Sequence, residues 1–130
     1  MSVNVLNGID FSQFKPNKDG RLLVYTSQYR YSGERRLDIT AGKGSDLFRP
    51  DWEQVKAFKA GNMTEEEYEK YYHEKMQQTY RHGKAGWERL LKCDWVVLVC
   101  YCGANTFCHR YLLADYLVKC GAKYEGEIPP

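Results

Sequence analysis

The residues best suited to chemistry are concentrated in one short stretch of the chain. Three cysteines, one histidine and one arginine lie within residues 100–110, namely Cys100, Cys102, Cys108, His109 and Arg110. A cysteine thiolate is a nucleophile and a metal ligand, and an imidazole carries protons near neutral pH. A guanidinium group presents a planar fork that matches phosphate or carboxylate. These residue types are suited to thiol chemistry, anion binding and metal chelation.

The sequence on either side of this stretch predicts a strand that leads into it and a helix that leaves it. Residues 95–101 are apolar throughout, which is typical of a central strand covered on both faces. Residues 109–120 carry leucines at helical spacing and end at Gly121, a favourable helix stop. Ligands gather where parallel strands end, and a helix N-terminus attracts anions and lowers the pKa of a nearby thiol. We therefore expect a binding site at the turn, with Cys108 beside the helix N-terminus.

The site predicted from the sequence has a ligand-binding part and a catalytic part. In the catalytic part, Cys108 is the nucleophile, and His109 or a more distant histidine is the proton carrier. Adjacent residues at a helix start point in different directions, so at most two of residues 108–110 share one ligand. The ligand-binding part combines the turn with contacts expected from neighbouring strand ends, and comprises Cys100, Cys102, Gly103, Arg110, Tyr25, Arg30 and Lys43.

The rest of the chain predicts alternating strands and helices. Strands are expected over 22–26, 37–40 and 122–128, and residues 7–21 are rich in turn formers, with a turn at 19–20. Helices are expected after Pro50, after Thr64 and around residues 87–91. Thr64 and Glu67 have the spacing of a capping box. We predict a single α/β domain over residues 1–130, built as a three-layer Rossmann-like sandwich with a mostly parallel central sheet.

Composition excludes several classes of protein. The 130 residues are 43% apolar and 28% charged, which suits one packed domain. A net charge of +2 argues against a dedicated nucleic-acid binder, and the longest apolar run, eight residues, is too short to span a membrane. No secretory signal is visible, and the five cysteines are an odd number. We expect free thiols in a cytoplasmic protein, with no membrane partner.

Metal binding and two other patterns have simpler explanations. Structural zinc motifs use two separated Cys/His pairs, whereas one residue separates Cys100 from Cys102, so the spacing predicts neither a metal nor another cofactor. Arginines 30, 35 and 36 lie in a loop with two tyrosines, which suits a solvated loop better than a nucleotide contact. A stripe on the second helix is either a core face or a docking surface, and consists of Tyr68, Tyr72, Met76 and Tyr80.

The segment VVLVCYCGANTFCHRYLLADYL resembles the C-terminal signature of a family of small bacterial and phage proteins, domain of unknown function 488. The stretches TEEEYEKYYHEKM and VYTSQY resemble the family's preceding helix and first strand, and the good correspondence covers roughly residues 64–120. The matching signature positions are Cys100, Cys108, His109 and Arg110, while family members often carry an acidic residue at the position of Cys102. The resemblance implies a Rossmann-like α/β fold and a site at this turn, but no reaction.

A looser similarity to rhodanese and tyrosine-phosphatase domains rests on a strand that ends in cysteine before an anion-binding loop. The phosphatase loop places five residues between its Cys and Arg, whereas seven separate Cys102 from Arg110, and position 104 is not cysteine. This spacing argues against that enzyme class.

Three functions remain open from the sequence. The first is binding of an anionic, nucleotide-like small molecule at residues 100–110, which we favour. The second is a thiol-dependent enzyme that acts on such a molecule through Cys108. The third is a non-enzymatic phage protein that binds a host protein, or a second subunit, through its tyrosine-rich helix.

Overall fold

The computed structural model describes residues 5–18, 20–102 and 107–130. Its strands are β1 (Val5–Leu6), β2 (Ile9–Asp10), β3 (Leu23–Gln28), β4 (Arg36–Asp38), β5 (Trp95–Cys100) and β6 (Lys123–Glu127). Its α-helices are α1 (Trp52–Lys59), α2 (Glu65–His82), α3 (Lys84–Leu91) and α4 (His109–Lys119). Each strand and helix predicted from the sequence is present. The turn predicted at 19–20 includes residue 19, which lies outside the described residues.

The sheet that positions the cysteine-rich turn has four strands in the order β4-β5-β3-β6, all parallel. Strand β5 lies inside the sheet, and its residues 96–100 are buried. Helix α4 packs on β3, β6 and β5, and helix α2 packs on α4. The sheet is therefore flanked by helices, and the architecture is a Rossmann-like α/β sandwich, as predicted.

Helix α2 begins where the sequence predicts and buries its aromatic stripe. The Thr64 hydroxyl accepts the Glu67 backbone N–H at 3.1 Å, and the Glu67 carboxylate accepts the Thr64 N–H at 2.9 Å. Tyr68, Tyr72 and Met76 are all buried. The Tyr72 hydroxyl donates to a buried backbone carbonyl at 2.6 Å rather than reaching solvent. Tyr80 is partly buried. Most of the stripe is thus a core face, which argues against its interpretation as a docking surface.

A small hairpin near the N-terminus was missed by the sequence analysis, which treated this stretch only as turn formers. Strands β1 and β2 are antiparallel, and Leu6 faces Ile9 across a two-residue loop. Both loop residues, Asn7 and Gly8, have positive φ angles of 54° and 77°. Asn-Gly is a strong hairpin signal, because both residues adopt this left-handed backbone at low cost.

Among the described residues, no helix has the length and apolar character needed to cross a bilayer.

Candidate functional site

The end of β5 and the start of α4 bring three cysteines together, and we call Cys100, Cys102 and Cys108 the cysteine corner. Cys100 is the last residue of β5, and Cys108 is the N-cap residue of α4. Their three sulfur atoms all lie within 4.8 Å of one another. Cys100 and Cys108 are 1% and 4% exposed, whereas Cys102 is half-buried. The predicted convergence of thiols on this turn is therefore present in the fold.

The structure brings the sulfur atoms of Cys100 and Cys108 into direct contact, while their Cα atoms lie 7.9 Å apart, farther than is usual for a disulfide. The expectation of free thiols therefore stays a prediction for these two residues. The spacing of Cys100 and Cys102 along a strand does not reveal that Cys108 comes to lie beside Cys100. Cys93, Cys102 and Cys120 are free thiols.

Arg110 is the buried cation behind the cysteine corner. Its guanidinium is fully buried and donates to the Glu127 carboxylate through Nη2 at 2.9 Å and Nε at 3.3 Å. Its Nη1 donates to Cys100 Sγ at 3.1 Å, to the Cys102 carbonyl at 2.9 Å and to Cys108 Sγ at 3.6 Å. This geometry directs the guanidinium at protein atoms and makes it a structural tie between α4, β6 and the turn.

The imidazole of His109 also contacts Cys108. Its Nε2 lies 2.6 Å from the Ile39 carbonyl, so Nε2 carries the hydrogen and donates it. Its Nδ1 then has a free lone pair, and it lies 3.8 Å from Cys108 Sγ. Burial, together with the nearby Arg110 charge, lowers the pKa of His109 to about 4 despite the raising effect of the bond to the Ile39 carbonyl. The imidazole is therefore neutral at physiological pH and accepts through Nδ1.

A cavity of about 250 Å³, which we call the corner cavity, opens beside the cysteine corner. Its walls are almost entirely apolar, and three aromatic rings pack together on one side. The Phe58 ring centroid lies 5.1 Å from that of Phe107 and 5.3 Å from that of Tyr68. The full lining comprises Ala41, Val55, Phe58, Lys59, Tyr68, Cys102, Phe107, Cys108 and His109.

The corner cavity includes some of the predicted site residues and leaves out others. The lining includes Cys102, Cys108 and His109, but it does not include Cys100 or Arg110. Two of residues 108–110 therefore face the same space, in agreement with the limit set by helix geometry. Gly103 lies outside the described residues.

Three predicted ligand contacts are not among the residues that line the corner cavity. Tyr25 instead lines a separate depression with Tyr31, Trp95 and Ile128, and Arg30 and Lys43 are exposed. The expectation that a site forms where parallel strands end places the cysteines at the edge of the sheet where the structure has them. It did not reveal that helices α1 and α2, rather than neighbouring strand ends, form the facing wall.

The sequence analysis also missed the residues contributed by those helices. Val55, Phe58 and Lys59 lie in the helix predicted after Pro50, but the sequence predicts no site role for them. No local signal distinguishes Lys59 from the other exposed lysines, since its position depends on how α1 packs against α2. Arg35, in the loop before β4, pairs with Asp94 at 2.8 Å, and Arg36, the first residue of β4, lies over the Tyr29 ring. These two arginines are engaged within the protein, rather than simply solvated as expected.

The fold and the cysteine corner define the class of this protein: a Rossmann-like α/β protein with a thiol cluster where a buried strand meets a helix. Residues 13–121 match the family model DUF488-N3a, described as the active DUF488-N3 subclade. The chain therefore belongs to the DUF488 family. The match confirms the family expected from the sequence and covers much of the N-terminal half as well. No curated protein and no solved structure matches the chain.

Proposed function

We propose that this protein binds a small, anionic, nucleotide-like molecule in the corner cavity, in a reducing compartment such as the cytoplasm. The observation that supports this most is the composition of the cavity wall, which combines a cluster of three aromatic rings with one lysine. Aromatic side chains stack on flat heterocycles, and an ammonium group attracts a phosphate or carboxylate.

The structure changes which residue is expected to hold the anion. Arg110 was the first candidate, but its guanidinium is buried and directed at Glu127 and the cysteine corner. Lys59 is exposed, lies at the end of α1 and lines the corner cavity. We therefore assign the anion contact to Lys59 and the ring contact to Phe58, Tyr68 and Phe107.

The size of the corner cavity limits the ligand. Pockets for small molecules usually measure roughly 300–1,000 Å³, so the corner cavity, at about 250 Å³, is slightly smaller than this range. A cavity of this size suits one heterocycle with its anionic group at the rim, and it does not suit a dinucleotide. Mononucleotides are accordingly the first probes to use.

The test is a thermal-shift and calorimetric comparison of adenosine and uridine 5′-monophosphates with their nucleosides. We expect a monophosphate to stabilise the protein, and Lys59→Ala to weaken its binding about tenfold, which corresponds to about 1.4 kcal/mol for one charge-assisted contact. Lys56→Ala is the matched control, because Lys56 is an exposed lysine of the same helix that pairs with Glu53 and is not part of the cavity wall. If no probe binds, or if both variants bind equally well, the proposal is refuted.

A second candidate function, a thiol-dependent enzyme, is favoured by the surroundings of Cys108. Its sulfur lies on the cavity wall, 3.6 Å from the Arg110 guanidinium and 3.8 Å from the free lone pair of His109. A cation beside a thiol favours the thiolate, which is the nucleophilic form. After reduction, we expect iodoacetamide to modify Cys108 faster than a free thiol at pH 7, with mass spectrometry to map the site.

Cys120→Ser provides the control for this alkylation experiment. Burial raises the pKa of the Cys120 thiol, so its removal should leave the fast phase unchanged. A fast phase that persists in Cys108→Ser, or a Cys108 rate no higher than that of a free thiol, would rule out the nucleophile role.

A further inference from the structure

We infer that the reduced cysteine corner is a binding site for a divalent, thiophilic metal ion, with zinc as the natural type. The site is the cluster of three sulfur atoms, Cys100 Sγ, Cys102 Sγ and Cys108 Sγ, which all lie within 4.8 Å of one another. This inference goes beyond the ligand proposed above and does not depend on it.

The spacing of the three sulfur atoms suits a metal ion. Zinc–sulfur bonds measure about 2.3 Å, so two thiolates on one tetrahedral zinc lie roughly 3.8 Å apart. The three sulfur atoms, all within 4.8 Å of one another, are near this separation, and the touching sulfur atoms of Cys100 and Cys108 have to move apart to hold an ion. A disulfide would use only two of the three, whereas a metal ion would use them all.

The backbone positions are also more favourable for a bridging ion than for a direct bond. The Cα atoms of Cys100 and Cys108 lie 7.9 Å apart, beyond the range of about 4.4–6.8 Å that is usual for disulfides. An ion between the two sulfur atoms lengthens the path from one Cα to the other. The reduced corner therefore accommodates a metal without backbone movement that a bond would require.

Arg110 supplies the surroundings that a thiolate site needs. Its Nη1 already donates to Cys100 Sγ and Cys108 Sγ, and hydrogen bonds of this kind orient metal ligands and stabilise their charge. Three thiolates and a divalent ion carry a net charge of −1, and the guanidinium and the Glu127 carboxylate balance each other. A monovalent ion would leave a larger buried negative charge, so the charges favour a divalent ion.

The fourth coordination position faces the corner cavity. Cys102 and Cys108 line the cavity, and the imidazole of His109 is tied to the Ile39 carbonyl through Nε2. Metal sites with three protein ligands and one open position are typical of zinc that binds a water or a substrate. The cavity therefore gives a small molecule access to the ion.

Metal binding requires the reduced corner and releases protons. Where Cys100 and Cys108 have been oxidised to a disulfide, a thiol or phosphine reductant first donates two electrons, and the uptake of two protons then yields two thiols. Three thiols then bind one Zn²⁺ and release three protons, because the ligands are thiolates. The spacing of these cysteines along the chain does not match the paired motifs of structural zinc sites, so the sequence alone does not predict zinc. The fold nevertheless brings the three sulfur atoms together.

The test is titration of the full, phosphine-reduced protein with Cd²⁺ under anaerobic conditions, followed through the ultraviolet sulfur-to-cadmium charge-transfer band. We expect the band to saturate at one equivalent, and Zn²⁺ to displace the cadmium. Cys102→Ser should weaken binding at least tenfold, because it removes one ligand and leaves Cys100 and Cys108 in place. Cys93→Ser and Cys120→Ser are matched controls that should bind like the unaltered protein, and circular dichroism confirms that each variant is folded.

The inference is overturned if no band forms at one equivalent, if Cys102→Ser binds as tightly as the unaltered protein, or if a control variant loses the band. Lys59→Ala separates the two proposals, since it should weaken nucleotide binding and leave the cadmium band unchanged. A band without any nucleotide binding supports the metal site and refutes the ligand proposal. Nucleotide binding without a cadmium charge-transfer band supports the ligand proposal and refutes the metal site.

Discussion

Replacement of Glu127 by alanine should destabilise the protein more than any other single charge removal on β6. Glu127 is the carboxylate partner of Arg110, and the two side chains are 17% and 0% exposed. Without Glu127, the guanidinium remains buried and loses both hydrogen bonds to the carboxylate. An unpaired buried charge is costly because the protein interior solvates it poorly.

The magnitude follows from what Arg110 keeps. Loss of one partner of a buried ion pair usually costs about 3–5 kcal/mol. Arg110 retains acceptors at Cys100 Sγ, at the Cys102 carbonyl and at the Tyr111 hydroxyl, and Glu127 is itself partly exposed. These contacts reduce the expected loss to about 2–3 kcal/mol. Glu127→Gln keeps one acceptor oxygen and should lose about 1–2 kcal/mol.

The assay is equilibrium urea denaturation at pH 7 under reducing conditions. Glu125→Ala is the matched control on β6, because Glu125 pairs with Lys123, whose side chain is 60% exposed, and such surface pairs contribute about 0–1 kcal/mol. A Glu127→Ala free energy of unfolding within about 0.5 kcal/mol of the Glu125→Ala value would refute the assignment of Arg110 as a buried charge that depends on Glu127. An unchanged m-value is required for the comparison.

Two further predictions concern the support of the sheet. Burial raises the pKa of Asp94, but hydrogen bonds from Arg35 and from two backbone N–H groups outweigh it, so the pKa is lowered below 3.8. Asp94→Asn should lower the free energy of unfolding at pH 7 by about 1–3 kcal/mol. It should also remove the loss of stability that this carboxylate causes when the pH falls below 3.8. A variant whose unfolding keeps the wild-type pH dependence would contradict this prediction. Gly44→Ala should cost about 2 kcal/mol or more, because a Cβ there would lie 2.6 Å from backbone atoms. Gly42→Ala, with open space and a φ of 83°, should cost only the left-handed penalty of about 1 kcal/mol, and equal losses measured by urea denaturation would refute the predicted clash.

The parts of the fold that depend on local physics were predictable from the sequence. The capping box at Thr64 and the apolar run of β5 fixed the positions of a helix and a central strand, because neighbouring residues decide both features. The hairpin at Asn7 and Gly8 was also readable from the sequence, since its dipeptide favours positive φ at both positions. It was missed because the surrounding polar residues were interpreted only as a loop.

The site was predictable only in part, because its partners come from distant elements. The strand–turn–helix rule correctly located Cys108 and His109. The rule could not reveal that Arg110 meets Glu127 on β6, which turns an expected anion contact into a buried structural tie. It also could not reveal the wall formed by Phe58 and Tyr68, since the packing of α1 and α2 is a tertiary property.

The position of β5 in the sheet has a consequence for how the chain folds. Strands β3 and β4 are close in sequence but do not pair with each other, because β5 lies between them: Leu23 pairs with Trp95, and Arg36 pairs with Val97. Until residues 95–100 arrive, the earlier strands have no backbone partner, and only helices and the small hairpin can form. Such distant pairings carry a large loop-closure entropy and slow the search for the native state. A fragment that stops before β5 should therefore expose unpaired strand edges and depend on chaperones to avoid aggregation.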